Sequence, residues 1–476
     1  MASNIDIYVS GGNFSNPYYQ FYSDSSGNNE ISSLNLNSNL TYTFRRLNSV
    51  NSHPFYVSDS GVGNNSSSSI SISGDGSATS GIRGDETFTI TFNKEQTEIS
   101  ELTFYCTAHS SMQSSFNIDN WDPHIFTNRS ELDTAVDAWI DDQDAATATY
   151  GDINTWDVSQ ITDFSELFDK KTTFNSDISN WDVSNGTDFS EMFREALYFN
   201  RDISQWNLSN GTDFSKMFYQ AKRFNQDIGD WDVSNGTDFG GMFYKAEKFN
   251  QDIGDWDVSN GIDFSGMFEN SSAFNQDISE WDVSNGTDFS AMFLISEGAS
   301  IFNQDISEWD VSNGNDFGWM FYGSEVFNQD ISEWDVSNGT DFSLMFYGSE
   351  VFNQDIGSWD VSNGTNFRYM FSGAESFDQD LSSWTLSENS TLTSMFAGAD
   401  LMQSNQGVGD TPSIYYFNPF PDKSTLQTAI DAWINDQNSA KELYGDINKW
   451  DVSQITDFSS LFEDEDTFNS DISNWD

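Results

Sequence analysis

The chain is poor in the residues that most often carry chemistry: one cysteine, three histidines, six prolines and 18 basic side chains in 476 residues. A single thiol, Cys106, excludes an intrachain disulfide and leaves the redox compartment unreadable from cysteine pairing. Against 76 acidic side chains the few bases leave a formal charge of -58. Such a surface repels phosphate backbones and anionic headgroups, so nucleic acid is excluded as a natural partner and cationic partners, metal ions included, are favoured. No run approaches the roughly 18 apolar residues of a membrane span, and MASNIDIYVSGG lacks the basic-then-apolar order of an export signal. There is no Ser/His/Asp set, no phosphate-cradling glycine loop and too little histidine for a zinc hydrolase, so the chain is not expected to be an enzyme. Asp/Glu pairs are unavoidable at this acidity and do not indicate a glycosidase.

What is present in abundance is a repeat. Tryptophans stand at 156, 181, 206, 231, 256, 281, 309, 334, 359 and 384, a spacing of 25 with one step of 28 caused by extra residues around Leu294 to Ser300. A fixed period of this size means stacked copies that bury their apolar faces against one another. The copy beginning at Phe327 reads FNQDISEWDVSNGTDFSLMFYGSEV. Its ISEWDV alternates as a short strand does, SNG is a turn, and Phe342, Met345 and Phe346 have the spacing of one short helix with Thr340 as its N-cap. Strand, turn and helix repeated in parallel predict a right-handed β/α solenoid.

Two polar series recur with the period. The Asn of FNQD, at 175, 200, 225, 250, 275, 303, 328 and 353, suits an internal ladder in which amides satisfy neighbouring backbone. The Asp two residues on, from Asp177 to Asp380, would stack about 5 Å apart on a ladder. Such carboxylates must face solvent, cap the following turn or bind cations. Calcium is a possible ion, although the spacing matches neither the EF-hand loop nor the glycine-rich nonapeptide repeat. N-G-T sequons at Asn185, Asn210, Asn235, Asn285, Asn338 and Asn363 read as turn chemistry rather than glycan acceptors.

The predicted organisation is multidomain. Residues 1–118 alternate with period two in IDIYV, LTYTFRR, SISIS, TFTITF and LTFYC, which predicts a β-sandwich. Residues 119–150 form a linker and a helical cap, with Leu132, Val136, Trp139 and Ile140 on one face behind a Ser130-x-x-Asp133 cap. The array occupies 151–400, a proline-marked linker 401–423, and residues 424–476 repeat Ser130 to Asp182 as the start of a second, truncated capped array.

The concentrated chemistry lies in LTFYCTAHSSM, Leu102 to Met112. Cys106, His109 and Met112, with His53 upstream, form the set of two imidazoles, a thiolate and a thioether that holds type 1 copper. Residues 1–118 accordingly resemble the cupredoxins of the plastocyanin, pseudoazurin and amicyanin group. That resemblance implies His53, Cys106 and His109 as the copper plane and Met112 as the axial ligand. His124, beyond this loop, reads as a linker residue. The repeats resemble the BspA-like surface proteins, whose unit reads FNQDISxWDVSNVTDMSxMFxGAxx in a leucine-rich-repeat-like solenoid. Here SNG replaces SNV and DF replaces DM, so a glycine stands where the family has a core valine and a local loss of packing is expected. The resemblance implies a cell-surface or secreted protein that mediates adhesion or protein–protein interaction through the array. The alternative is a copper-dependent electron-transfer or metal-handling protein with the array as spacer. Placement on a virion or an intracellular role stays open, and the sequence is silent on oligomeric state.

Overall fold

A computed structural model describes residues 4–31, 34–38, 40–92, 101–119 and 124–475, in two compact units divided at His124. The expected linker start at 120–123 lies outside the described residues. In the first unit the five alternating runs form β1 (Asn4–Val9), β5 (Thr41–Arg46), β7 (Ile70–Gly74), β8 (Thr87–Phe92) and β9 (Glu101–Cys106). They are joined by short β2 (Phe21–Tyr22), β3 (Glu30–Ile31), β4 (Leu36–Asn37) and β6 (Phe55–Ser58), and by β10 (His109–Asp119). One sheet has the order β3-β2-β1-β5-β8-β7 and the other β4-β10-β9-β6. Both are mixed: β1 runs parallel to β5 and β10 parallel to β4, while the remaining pairs are antiparallel. Alternation sends Phe44, Phe88 and Ile90 from one sheet and Phe55, Leu102 and Phe116 from the other into one core.

The second unit opens with α1 (Arg129–Asp141) and α2 (Gln143–Tyr150). Leu132, Val136 and Trp139 are buried as expected. The N-cap, however, is Asn128, whose side chain accepts from the Glu131 amide; Ser130 lies inside the helix. Asparagine caps as well as serine does, and Asn128 holds the extended backbone that an N-cap needs.

The repeats stack in register, but the strand and helix expected in each copy are absent among the described residues. The segment read as a helix is a chain of four-residue turns. Met192, Arg194 and Ala196 donate back to Phe189, Glu191 and Phe193, and Glu191 and Glu195 take positive φ of 56° and 55°. The amides between them point out of the copy: Phe189, Glu191, Phe193 and Glu195 donate to Asp213, Ser215, Met217 and Tyr219 of the next copy at 2.7 to 2.9 Å. A helix would spend those amides four residues back along its own axis. Every fourth residue in the left-handed region breaks that pattern and frees them for the neighbour. The i, i+3, i+4 spacing of Phe342, Met345 and Phe346 still buries all three, because turns of this length bring the same positions inward.

The asparagine ladder forms. The Asn250 side-chain oxygen accepts from the Asn275 amide at 2.9 Å, and its equivalents repeat this from Asn175 to Asn353. It runs along the exposed flank rather than inside. Inside are columns of stacked rings, such as Phe193 on Phe218 at 5.5 Å, and the Trp indoles, which from Trp181 to Trp384 donate to an Ile carbonyl one copy back, as Trp231 does to Ile203 at 3.1 Å. The sequon asparagines are occupied too: the Asn185 amide nitrogen donates to Ser159 at 2.8 Å, and Asn338 to Ser312 at 2.7 Å.

The glycine of SNG does not loosen the packing. A Cβ on Gly186 would stand 2.4 Å from the tip of the Phe189 ring and 3.0 Å from Phe164. The Phe that replaces the family's Met fills the volume the family's Val would occupy, so the two departures compensate.

Residues 401–423, expected as a linker, close the array. Met402, Val408 and Phe417 join its core, Asp410 accepts the Phe396 amide that a further copy would have taken, and Asn418 bonds both the amide and the carbonyl of Leu386. Proline marks a stop in regular structure, not exposure, and here apolar residues between the prolines cover the last copy. A second core follows around α3 (Lys423–Asn435) and α4 (Gln437–Tyr444), built from Leu426, Ile430, Trp433 and Trp450.

Candidate metal centre

The β9–β10 hairpin brings the site together. Cys106 ends β9, Thr107 and Ala108 turn the chain, and His109 opens β10 directly opposite Cys106. The register then slips before Gln113 pairs with Tyr105, so Met112 falls in a bulge. On the other side of β9, Phe55 of β6 pairs with Cys106 and the Thr107 amide donates to Pro54 at 3.0 Å, which carries His53 to the same end.

Three of the four expected ligands converge. His53 Nδ1 and His109 Nδ1 lie 3.2 Å apart, and Cys106 Sγ is 3.4 Å from His109 Nδ1 and 3.9 Å from His53 Nδ1. A point equidistant from the three donors is about 2.0 Å from each, the length of a metal–imidazole bond. Cys106 and Met112 are buried within the core, His53 is half-buried and His109 exposed. Among the described residues this is the one cluster of three or more His, Cys, Asp or Glu side chains close enough to share an ion. The Asp series does not form one. Asp177 and its equivalents accept the amide two residues on, as Ser179 donates to Asp177 at 3.0 Å, which is the turn-capping role.

The residues that hold His53 were not singled out in the sequence. His53 sits at φ 45°, and its carbonyl accepts from Tyr19 Oη at 2.8 Å and Arg46 Nη1 at 3.0 Å. Arg46 is 4% exposed and also donates to the carbonyls of Ser10 and Ser52, while its Nε is buried with no partner among the described residues. Burial lowers the Arg46 pKa, against the raising influence of Tyr19 and Cys106. Burial pushes the Tyr19 hydroxyl far up, and the Cys106 sulfur adds to that. His53 is lowered by burial first, then by His109 and Arg46. Above the imidazoles Phe14 sets its edge against both, with centroids at 4.8 Å from His53 and 5.0 Å from His109, and is itself 68% exposed. One signal for Arg46 existed: two consecutive arginines end a strand in a chain that has few bases anywhere.

Among the described residues no helix is long and apolar enough to cross a membrane. No curated protein and no solved structure matches the chain. The family described as Mycoplasma protein of unknown function, DUF285, matches residues 134–252, 226–325, 294–409 and 424–476, all in the second unit and none reaching the metal-site residues. Those segments cover the cap, the whole array and its second beginning, more than half of the sequence, and by them the chain belongs to that family.

Proposed function

We propose that this chain is a surface or secreted interaction protein. In this reading a BspA-like solenoid presents the binding face and a cupredoxin-like N-terminal sandwich holds one copper ion. The donor triangle carries the copper part: two imidazole nitrogens and one cysteine sulfur lie 3.2 to 3.9 Å from one another, close enough to share a single ion. That donor set suits copper, with soft sulfur and borderline nitrogen in a trigonal plane. His53, Cys106 and His109 would hold the ion, and Met112, buried three residues after His109, would be its candidate fourth ligand. Copper bound there would supply a one-electron couple. The chain's own residues would position these side chains: Arg46 and Tyr19 pin the His53 carbonyl, the hairpin register pins His109 against Cys106, and Phe14 packs at right angles to both imidazoles.

The interaction part rests on the family match and on a stack whose polar groups are met internally, which leaves a long regular face free for partners. The copper reading is tested by titrating the full chain with Cu(II). An intense visible thiolate-to-copper band is expected at one equivalent, lost in Cys106→Ser and kept in the array substitution Asn250→Ala. A wild-type protein with no such band under oxidising conditions would overturn it.

A further inference from the structure

The face of the array is not uniform. In the turn chain of each copy the first left-handed position holds Glu191, Lys216, Gly241, Gly266 or Ala291 in the earlier copies. In three consecutive later copies it holds Trp319, Leu344 and Tyr369, at φ 64°, 54° and 56°. Large side chains in this region are disfavoured by roughly 1 kcal/mol or more each. The same chain shows that glycine serves there. Around them the rings form a continuous half-buried column with Trp319 exposed: Trp319 stacks on Tyr322 at 5.1 Å, Tyr322 on Tyr347 at 4.7 Å, and Tyr347 meets Tyr369 edge-on at 6.4 Å. Trp319 is 41% exposed and Val351, on the same copies, 42%.

The electrostatics of this stretch select the occupant. Between Lys248 and Arg368 the sequence contains no lysine or arginine, while exposed Glu325 and Glu350 follow Tyr322 and Tyr347 by three residues in their copies. The chain's own arginines display the matching contact: Arg368 lies over the Tyr369 ring at 5.0 Å, and Arg223 over Tyr198 at 4.0 Å. A ring face and a nearby carboxylate together suit a guanidinium, whose flat surface stacks while its edge donates hydrogen bonds.

We propose that the column formed by Trp319, Tyr322, Leu344 and Tyr347, which ends where Arg368 already covers the Tyr369 ring, is a docking surface for a basic, arginine-bearing segment of a protein partner. The inference rests on reading the array as the interaction module and names the part of it that binds. Aromatic anchors supply the contact area, and the unneutralised carboxylates around them reject acidic partners and speed the approach of basic ones.

The test is calorimetric titration of the full chain, at physiological salt, with an alternating Arg-Gly octapeptide, its Glu-Gly counterpart and a neutral oligosaccharide. The comparison protein is Trp319→Gly/Leu344→Gly. This variant restores the residue found at Gly241 and Gly266, keeps every carboxylate and is expected to fold. Wild type is expected to bind the arginine peptide at least tenfold more tightly than the variant and not to bind the acidic peptide. Equal affinity in the two proteins would mean that charge alone attracts the peptide and would overturn the docking surface, as would binding of the oligosaccharide in place of the peptide. An in-register deletion within residues 200–380 separates the two failures. If the glycine variant binds like wild type but the deletion abolishes binding, the array reading stands and this surface falls. If binding survives the deletion, the array reading itself falls.

Discussion

In the N-terminal unit one side chain, Arg46, meets three carbonyls around a single histidine; in the array each copy's polar groups are met by the same atoms of the copy before or after it. The first arrangement is built once, from residues 36, seven and six apart, and each contact is unique. The second is copied, so the loss of one rung leaves many like it. A unique network can position a reactive group within tenths of an ångström but fails as a whole. A copied one tolerates local change, and so can vary its exposed positions from copy to copy, as it does at Trp319.

The sharpest way to break this comparison is at Arg46. In Arg46→Met the carbonyls of Ser10 and Ser52 lose this donor and that of His53 keeps only Tyr19, at about 1 kcal/mol each. The first unit is expected to lose about 3 kcal/mol and to melt some 10 °C or more below wild type, while the array transition stays in place. With His53 released, the thiolate-to-copper band should also weaken and shift, and Arg46→Lys, which keeps the charge but not the fork, should restore it only in part. Differential scanning calorimetry and the visible spectrum read both effects. An N-terminal transition that does not move would show that Arg46 is not the clamp.

The array is expected to respond to a smaller, compensable change. Gly186→Val drives a side chain into the Phe189 ring, where even a Cβ would stand at 2.4 Å. The cost is about 2 to 3 kcal/mol of array stability. Phe189→Met, which restores the residue common in the related repeats, should lose about 1 kcal/mol alone and recover most of the loss when combined with Gly186→Val. The double-mutant cycle reads the coupling directly. Additive losses would show that the Gly–Phe pair is not a matched exchange.

Much of this was legible in the sequence, and the exceptions have physical reasons. The period, the turn at SNG, the buried Trp, Phe and Met columns and the pairing of successive asparagines follow from residue identity alone, because each copy repeats the evidence, whereas the ladder's place on the exposed flank rather than inside did not. The conformation inside the copy did not, since Phe342, Met345 and Phe346 have the same inward spacing in a helix and in a chain of turns. What decides between them is where the intervening amides go, and that depends on the neighbouring copy. His53, Cys106 and His109 were readable because soft ligands are rare in this chain, and the hairpin brings all three together. Arg46, Tyr19 and Phe14 were not, because they act on His53 from seven, 34 and 39 residues away through a backbone carbonyl and ring edges, neither of which leaves a motif. Residues 401–423 misled because prolines were weighed above Met402, Val408 and Phe417.

The smallest effect expected tests whether one copy can depart from the rest without consequence. At the position where neighbouring copies carry Tyr219, Tyr244, Tyr322 and Tyr347, one copy carries Glu269. Burial pushes its carboxyl up to about 6, with Lys245 opposing. Because the folded pKa lies above the unfolded one, the proton is held more tightly in the folded state. The associated stability is therefore fully present below about pH 4.5 and lost as pH rises through about 6. At neutral pH the shift corresponds to at most about 2 kcal/mol, and to about 1 kcal/mol once the partial exposure of the side chain is allowed for. Glu269→Gln removes the charge, so its array should melt some 2 to 4 °C above wild type at pH 7.5 and at the same temperature at pH 4. Asp277, eight residues on, runs the other way: its bonds to Ser279 lower its pKa, so its contribution is present at neutral pH and fades on acidification. A Glu269→Gln gain of equal size at both pH values would mean that shape rather than charge separates this copy from its neighbours, and the array's tolerance of exposed variation would then extend to its half-buried positions as well.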